Sequence, residues 1–165
     1  MKSRNYLIIG GVIALIQVYM GQLLEVNGIV PDLILVYIIC VALLSGHQTA
    51  LVLGLVIGFL YDIFFNDFIG LYSIFYTTIG YFVGYFRNNF FYSNVQIALV
   101  FSVLATIIKF MFFKILKVII FSNFEMVNVL VIFYTIIYNI IICIVIHYIL
   151  VKLQTRVENE RKQYR

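Results

Sequence analysis

The stretch LILVYIICVALLSGHQTALVLGLVIGFLY, residues 33–61, decides the fold. It carries no charged side chain over about 29 residues, which is longer than the roughly 20 residues an upright helix needs to cross a hydrocarbon core. The segment Ser45-Gly46-His47-Gln48 interrupts it near the middle. We therefore predict a helical hairpin, in which two membrane helices are joined by a tight turn.

The composition of the whole chain agrees with a membrane location. Of its 165 residues, 64% are hydrophobic and 11% are charged. Lipid cannot hydrogen-bond a bare peptide group, so such a chain must form transmembrane helices or a closed barrel. Barrel strands alternate apolar and polar residues, whereas residues 7–18 and 129–146 are almost continuously apolar. The sequence therefore predicts an all-α membrane protein.

Six apolar stretches are long enough, or nearly long enough, to cross a bilayer. They predict a compact bundle of six transmembrane helices in residues 1–151, followed by a basic cytoplasmic tail at residues 152–165. Pro31 and Asp32 suit a helix start, because proline lacks an N–H that would be unpaired there and aspartate favours the positive end of the helix dipole. The predicted helices are residues 6–24, 31–44, 49–64, 70–86, 95–121 and 126–151.

The distribution of lysine and arginine predicts the orientation, since these residues are retained on the cytoplasmic side of short flanking segments. With six spans both termini share one side, and that side is the basic one. Both termini are therefore expected to be cytoplasmic, although Lys114 and Lys117 run against the rule. The basic side holds Lys2, Arg4, Arg87, Lys152, Arg156, Arg161, Lys162 and Arg165, and the opposite side holds Glu25, Asp32, Asp67 and Glu125.

Small residues recur at helical spacing inside the predicted spans. Lipid gives helices little hydrophobic reason to associate, so they associate through close approach at small residues and through polar contacts. We interpret these faces as helix-packing surfaces, and docking of a partner's helix on one of them is the alternative. The main set is Ala50, Gly54, Gly58 and Asp62 in the third helix and Gly70, Gly80 and Gly84 in the fourth. Similar faces carry Gly10, Ala14, Gln17 and Gly21 in the first helix, Ala98, Ser102, Thr106 and Lys109 in the fifth, and Thr135, Asn139, Cys143 and His147 in the sixth.

Two ionisable residues, Asp62 and Lys109, fall well inside predicted spans. Each costs roughly 2.5 to 3.5 kcal/mol to insert, which favours pairing. Counted from their helix starts, both lie roughly 20 Å from the cytoplasmic face at about 1.5 Å per residue. We therefore predict an intramembrane ion pair between them. The alternative is that each group reaches the headgroups alone.

The sequence contains no recognisable catalytic motif, and we predict no enzyme activity, no cofactor, no metal site and no nucleic-acid binding. Cys40 and Cys143 lie in different predicted helices, where a thiol packs as a small apolar residue. His47 and His147 have no companions at metal-ligand spacing, so a turn residue and a packing residue are the better interpretations.

The central third contains an ordered set of residues, which consists of Pro31-Asp32-Leu33, the turn glycine Gly46, the spacing Gly54-x3-Gly58-x3-Asp62, Gly70-Leu71, Tyr81-x2-Gly84 and the basic Arg87. This set resembles the bacterial rod shape-determining protein MreD family. Chain length and the six-span hydropathy agree with this family. In one departure, the turn after the second helix, which often carries Arg or Lys in the family, contains Gly46-His47-Gln48 here.

The resemblance implies a non-catalytic scaffold subunit of the cell-wall elongation complex, the elongasome, in the bacterial cytoplasmic membrane. Such a subunit binds MreC directly, is linked through the complex to MreB, RodA and a class B penicillin-binding transpeptidase, and helps control cell shape and peptidoglycan synthesis. The family is also similar in fold to the substrate-binding S components of energy-coupling-factor transporters. The expected bundle is therefore S-component-like, and a vitamin-binding transporter subunit is the alternative function.

Overall fold

The described part of the chain confirms the all-α prediction. The computed structural model describes residues 3–20, 25, 29–65, 69–89, 94–121 and 129–163, which contain six α-helices and one short 3-10 helix. They are α1 (Ser3–Met20), α2 (Leu33–Ser45), α3 (His47–Phe65), α4 (Leu71–Tyr85), the 3-10 helix Phe86–Asn89, α5 (Val95–Phe121) and α6 (Val129–Gln163).

The observed helix limits agree with the predicted ones for α5 and differ by a few residues in α2, α3 and α4. The largest difference is at the end of α6, which continues to Gln163 instead of ending near Val151. No glycine or proline interrupts residues 129–163, and the tail is rich in Lys, Arg, Gln and Glu, which favour helix. Gly21, the predicted helix limits at residues 24 and 126, and Lys2, Asp67, Glu125 and Arg165 lie outside the described residues.

Among the residues that the structure describes, three helices are long and apolar enough to cross a membrane, in the segments His47–Phe64, Val95–Ile119 and Val129–Val157. Two shorter apolar helical segments, Arg4–Tyr19 and Leu33–Ser45, accompany them. The helix surfaces that face away from the bundle are lined by large apolar side chains, as expected for contact with lipid. Examples are Ile8, Val12, Leu55, Phe59, Val100, Leu104, Ile141 and Val145. The membrane character is thus supported, while the count of six spans stays a prediction.

Helix α2 forms the centre of the bundle. Every side chain from Ile34 to Leu43 has no exposed surface, and α2 contacts α1, α3, α4, α5 and α6. Its sequence is apolar on all sides, which is the pattern of a helix that is surrounded by others. The other five helices therefore pack around α2.

The helical hairpin predicted at residues 45–48 is present. A single residue, Gly46, separates α2 from α3, and its φ angle of 88° lies in the left-handed region that glycine adopts without strain. The Gly46 N–H donates to the carbonyl oxygen of Ala42 at 2.9 Å, which ends α2. The chain therefore turns within one residue and places α3 against α2.

Candidate functional site

The backbone N–H groups at the start of α2 need hydrogen-bond acceptors from surrounding side chains. With 13 residues, α2 is about 20 Å long at 1.5 Å per residue, which is shorter than the roughly 30 Å hydrocarbon core. If the turn at Gly46 lies at one membrane surface, α2 begins below the other. The first backbone N–H groups of a helix lack intrahelical partners, so at this depth side chains must satisfy them.

Asp32 makes the largest number of these contacts at the start of α2. It is 5% exposed, and its Oδ1 atom accepts a hydrogen bond from the backbone N–H of Leu35 at 2.9 Å, so it caps α2. The hydroxyl of Tyr76 in α4 donates to both carboxylate oxygens at 3.1 Å. The ammonium of Lys109 in α5 forms a salt bridge with Oδ2 at 2.5 Å. One buried carboxylate thus joins α2, α4 and α5.

Two amide side chains complete the same cluster. Gln17 in α1 accepts from the Leu33 N–H at 2.7 Å and donates to the Pro31 carbonyl oxygen at 2.9 Å. Asn139 in α6 accepts from the Asp32 N–H and donates to the Thr106 hydroxyl, both at 2.9 Å. We call this set the Asp32 network; it consists of Gln17, Pro31, Asp32, Tyr76, Thr106, Lys109 and Asn139. It connects five of the six helices at the start of α2.

The structure assigns Lys109 a different partner from the predicted one. The predicted ion pair joined Lys109 to Asp62, whereas the salt bridge of Lys109 is with Asp32. From the charge distribution we expected Asp32 in the loops on the extracytoplasmic side, and we compared the depth of Lys109 with that of Asp62 only. The shortness of α2 instead brings Asp32 to the level of Lys109.

Asp62 has a structural role at the start of α4. Its carboxylate accepts hydrogen bonds from the backbone N–H groups of Gly70, Tyr72 and Ser73 at 3.1, 3.1 and 2.9 Å. The side chain is fully buried, and a negative charge is favourable at a helix N-terminus. Gly70 precedes α4 with a φ angle of 106°, which suits glycine. Asp62 therefore fixes α4 to the end of α3.

The small residues of α3 and α4 pack against each other. A Cβ atom added at Gly54 would lie 2.6 Å from the Tyr76 carbonyl oxygen, and one added at Gly58 would lie 2.5 Å from the Ser73 Cα. These distances are below any ordinary contact, so the two backbones touch. Gly54 and Gly58 therefore lie in a surface that packs two helices of this chain together, because α4 already occupies this face of α3.

The other half of the α4 face meets the α2–α3 hairpin. A Cβ atom added at Gly80 would lie 3.0 Å from the Ala50 carbonyl oxygen, and one added at Gly84 would lie 2.5 Å from the His47 Cα. The His47 ring packs edge-on against Tyr81 at 5.6 Å between centroids. Gly80 and Gly84 thus let α4 approach the hairpin as closely as Gly54 and Gly58 let it approach α3.

A small cavity adjoins the Asp32 network. Its volume is about 110 Å³, and we call it the Asp32 cavity. The residues that line it are Gln17, Val30, Pro31, Asp32, Tyr61, Tyr76 and Lys109. Cavities that hold drug-sized ligands are several times larger, about 300 to 1,000 Å³. The Asp32 cavity therefore suits a group of a few heavy atoms.

The two cysteines lie closer together than the sequence indicated. The Sγ atoms of Cys40 in α2 and Cys143 in α6 are 4.0 Å apart, and both thiols are buried and free. His147 is buried in α6, four residues beyond Cys143. Within the described residues, no group of three or more His, Cys, Asp or Glu side chains is arranged to hold a metal ion.

Sequence reasoning missed three features of the site. Asp32 was expected only to start a helix, Tyr76 was not singled out among 13 tyrosines, and Asn139 was assigned only to a packing face. The i, i+4 spacing of polar residues in α5 and α6 was the signal that placed Thr106 and Asn139 inside the bundle. No sequence signal identified the tyrosine.

Comparison with family models gives a match to rod shape-determining protein MreD over residues 3–157. Comparisons with curated proteins and with solved structures gave no significant match. The relation to S components of energy-coupling-factor transporters therefore stays a prediction. The matched segment includes all six α-helices down to the polar end of α6, and the chain belongs to the MreD family of rod shape-determining proteins.

Proposed function

We propose that this protein is a non-catalytic membrane scaffold subunit of the cell-wall elongation complex, and that it binds MreC directly. The observation that carries the proposal is the family match, which extends over nearly the whole chain. Through MreC it would be linked to MreB, RodA and a class B penicillin-binding transpeptidase. Its role would be to support the peptidoglycan synthesis that maintains a rod shape.

The chemistry of the intramembrane polar groups supports a scaffold role. Ionisable residues inside a membrane are functional candidates by default, but here each has a structural task. Asp32 caps α2 and pairs with Lys109, and Asp62 binds three backbone N–H groups at the start of α4. Charges engaged in this way fix helix positions, which is what a subunit that holds partners together requires.

The proposed location is the bacterial cytoplasmic membrane with both termini in the cytoplasm. The exposed Arg4, Lys152 and Arg156 lie near helix ends that would then face the cytoplasm, in agreement with the positive-inside rule. In this orientation the start of α2, the Asp32 network and the Asp32 cavity face the extracytoplasmic side. The helical continuation of α6 beyond Val151 would extend into the cytoplasm.

The packing of α3 against α4 restricts where a partner helix can dock. The Gly54 and Gly58 positions are covered by α4 backbone, so the partner must use another surface. On α1, a Cβ atom added at Gly11 would meet no atom within 4 Å, and the neighbouring Ile8 and Val12 are exposed. We therefore place the MreC contact on α1 or on the loops.

Depletion combined with co-purification tests the proposal. Cells of a rod-shaped host that lack their own copy should round up, and expression of this chain together with its cognate MreC should restore the rod shape. Tagged protein should retain MreC through purification in mild detergent. Rod shape without the protein, or a protein that never retains MreC, would contradict the proposed function.

The transporter alternative gains no support from the site. An S component needs a pocket for a vitamin-sized ligand, whereas the Asp32 cavity measures about 110 Å³, well below the roughly 300 to 1,000 Å³ of drug-sized sites. Thiamine, riboflavin and biotin should therefore leave the melting temperature of the purified protein unchanged, because a ligand that does not bind the folded state cannot stabilise it.

A further inference from the structure

The Asp32 cavity presents hydrogen-bond donors of Lys109 and Gln17 to its interior. Each Asp32 oxygen already accepts two hydrogen bonds: Oδ1 from Leu35 and Tyr76, and Oδ2 from Tyr76 and Lys109. A lysine ammonium has three N–H groups, and among the described residues its hydrogen-bond acceptor is Asp32 alone. The ammonium also lies 5.3 Å from the centre of the Tyr72 ring, but two of its N–H groups have no oxygen or nitrogen acceptor in the described part of the chain.

Gln17 adds a further donor to the same cavity. Its Nε2 atom carries two N–H groups, and one of them donates to the Pro31 carbonyl oxygen. Its Oε1 atom already accepts from Leu33. The Lys109 and Gln17 side chains thus present donors to the cavity, while both oxygens of the Asp32 carboxylate are already engaged. An occupant that supplies an acceptor oxygen fits this arrangement.

The charge balance and the volume of the Asp32 cavity limit which chemical groups can occupy it. Asp32 and Lys109 balance each other, so an added anion or cation would leave a charge uncompensated beside the buried Asp32 carboxylate, which is costly. A volume of about 110 Å³ holds a few waters or the head of one side chain. The fitting group is therefore neutral, carries an acceptor oxygen and has only a few heavy atoms.

The cavity is accessible from outside the bundle. Val30 in its lining is 36% exposed, and the Lys109 side chain is 24% exposed. A carbonyl that enters by this route would receive charge-assisted hydrogen bonds from the ammonium, which are about twice as strong as neutral ones. It would also displace water from donors that the salt bridge already orients.

We propose that the Asp32 cavity is the receiving site for one amide or backbone carbonyl group from the extracytoplasmic part of MreC. This inference rests on the proposed function, because it identifies the contact that the partner makes. Lys109 donates to the incoming oxygen and keeps its salt bridge to Asp32. The occupied cavity would then link the partner to the network that holds five helices together.

The test is labelling of a cysteine in the cavity, with and without the partner. The variant Val30→Cys is treated with a membrane-impermeant maleimide, first as the purified full chain and then as the co-purified complex with MreC. The two native cysteines are fully buried, so the parent protein is the unlabelled background. Ile69→Cys is the matched control, since Ile69 is 66% exposed and does not line the cavity.

The complex should label at Val30→Cys about tenfold more slowly than the isolated chain, as expected where a contact excludes water. Labelling at Ile69→Cys should change less than about twofold, because Ile69 is exposed and does not line the Asp32 cavity. Unchanged labelling at Val30→Cys, or equal protection of both positions, would overturn the inference while the complex itself remained intact. Failure to obtain any complex would instead contradict the proposed function, on which the inference depends.

A double variant tests the donor directly. Asp32→Asn with Lys109→Met keeps an acceptor oxygen for the Leu35 N–H, keeps the site neutral and removes the ammonium. Affinity for MreC should fall about tenfold, which corresponds to the loss of one good charge-assisted hydrogen bond. Unchanged affinity in a variant whose thermal unfolding remains cooperative would overturn the proposal.

Discussion

The α3–α4 contact and the Asp32 network hold the same bundle together by opposite means. In the first, glycines at positions 54 and 58 bring two backbones into contact with no side chain between them. In the second, side chains from five helices meet around one buried carboxylate. Both solve the same problem, since lipid supplies little hydrophobic force between helices.

The difference determines what each region tolerates. The α3–α4 contact has no room for added atoms, whereas the Asp32 network cannot lose a charge without leaving its partner unpaired. Substitutions that add volume should therefore damage the first region, and substitutions that remove polar atoms should damage the second.

Lys109→Met should have the largest effect, because it leaves the Asp32 carboxylate buried without its cation. Breaking a buried pair from one side costs about 3 to 5 kcal/mol, and the partial exposure of Lys109 places the expected loss near 3 kcal/mol. The free energy of unfolding in mixed detergent micelles measures it. Lys114→Met, at an exposed position of the same helix, is the control and should cost less than about 0.5 kcal/mol. Equal effects of the two variants would contradict the role of the salt bridge.

Gly58→Leu should destabilise the protein by about 2 to 3 kcal/mol, since the new side chain would force the α3 and α4 backbones apart. Its Cβ alone would lie 2.5 Å from the Ser73 Cα. Gly11→Leu is the matched control, because a Cβ there meets nothing within 4 Å among the described residues. A stable, monodisperse Gly58→Leu protein would show that the two helices are not in backbone contact.

Asp62→Ala should cost about 2 kcal/mol, because three N–H groups at the start of α4 lose their acceptor. Amide hydrogen exchange should quicken in the first turn of α4 before it changes elsewhere. Asp62→Asn retains one acceptor oxygen and should lose less stability. Protection that falls equally throughout the bundle would argue against a local capping role.

Asn139→Leu should have the smallest effect, about 1 kcal/mol, which is typical of polar contacts between membrane helices. The substitution removes the hydrogen bonds to the Asp32 N–H and the Thr106 hydroxyl, and leucine fills most of the volume. The same micelle unfolding assay applies. A loss as large as that of Lys109→Met would mean that the amide, and not the salt bridge, is the main contact at this junction.

Much of the fold follows from patterns visible in the sequence. The apolar runs located the helices, Gly46 located the hairpin, and the four-residue spacing of Gly54 and Gly58 identified a packing face, because each depends on nearby residues only. The partner of Lys109 could not be obtained in this way. Two carboxylates, Asp32 and Asp62, were available, and the choice between them depends on the true length of α2 and on how deep its start lies.

The contacts of Tyr76 and Asn139 in the Asp32 network also could not be predicted from the sequence. The chain has 13 tyrosines, and nothing in the sequence around Tyr76 indicates that its hydroxyl is buried against Asp32. Asn139 lies 107 residues from Asp32 along the chain, so only the assembled bundle brings them together. Contacts within one helix turn can be inferred from spacing, whereas contacts among five helices require the packing itself.

A pair of double-mutant cycles tests the central claim most directly, namely that Lys109 pairs with Asp32 while Asp62 caps α4. The first cycle combines Lys109→Met with Asp32→Asn, and the second combines Lys109→Met with Asp62→Asn, with unfolding free energy as the readout. We expect a coupling of about 2 kcal/mol in the first cycle and near-additive effects, within about 0.5 kcal/mol, in the second. A large coupling in the Asp62 cycle, with additivity in the Asp32 cycle, would contradict the account.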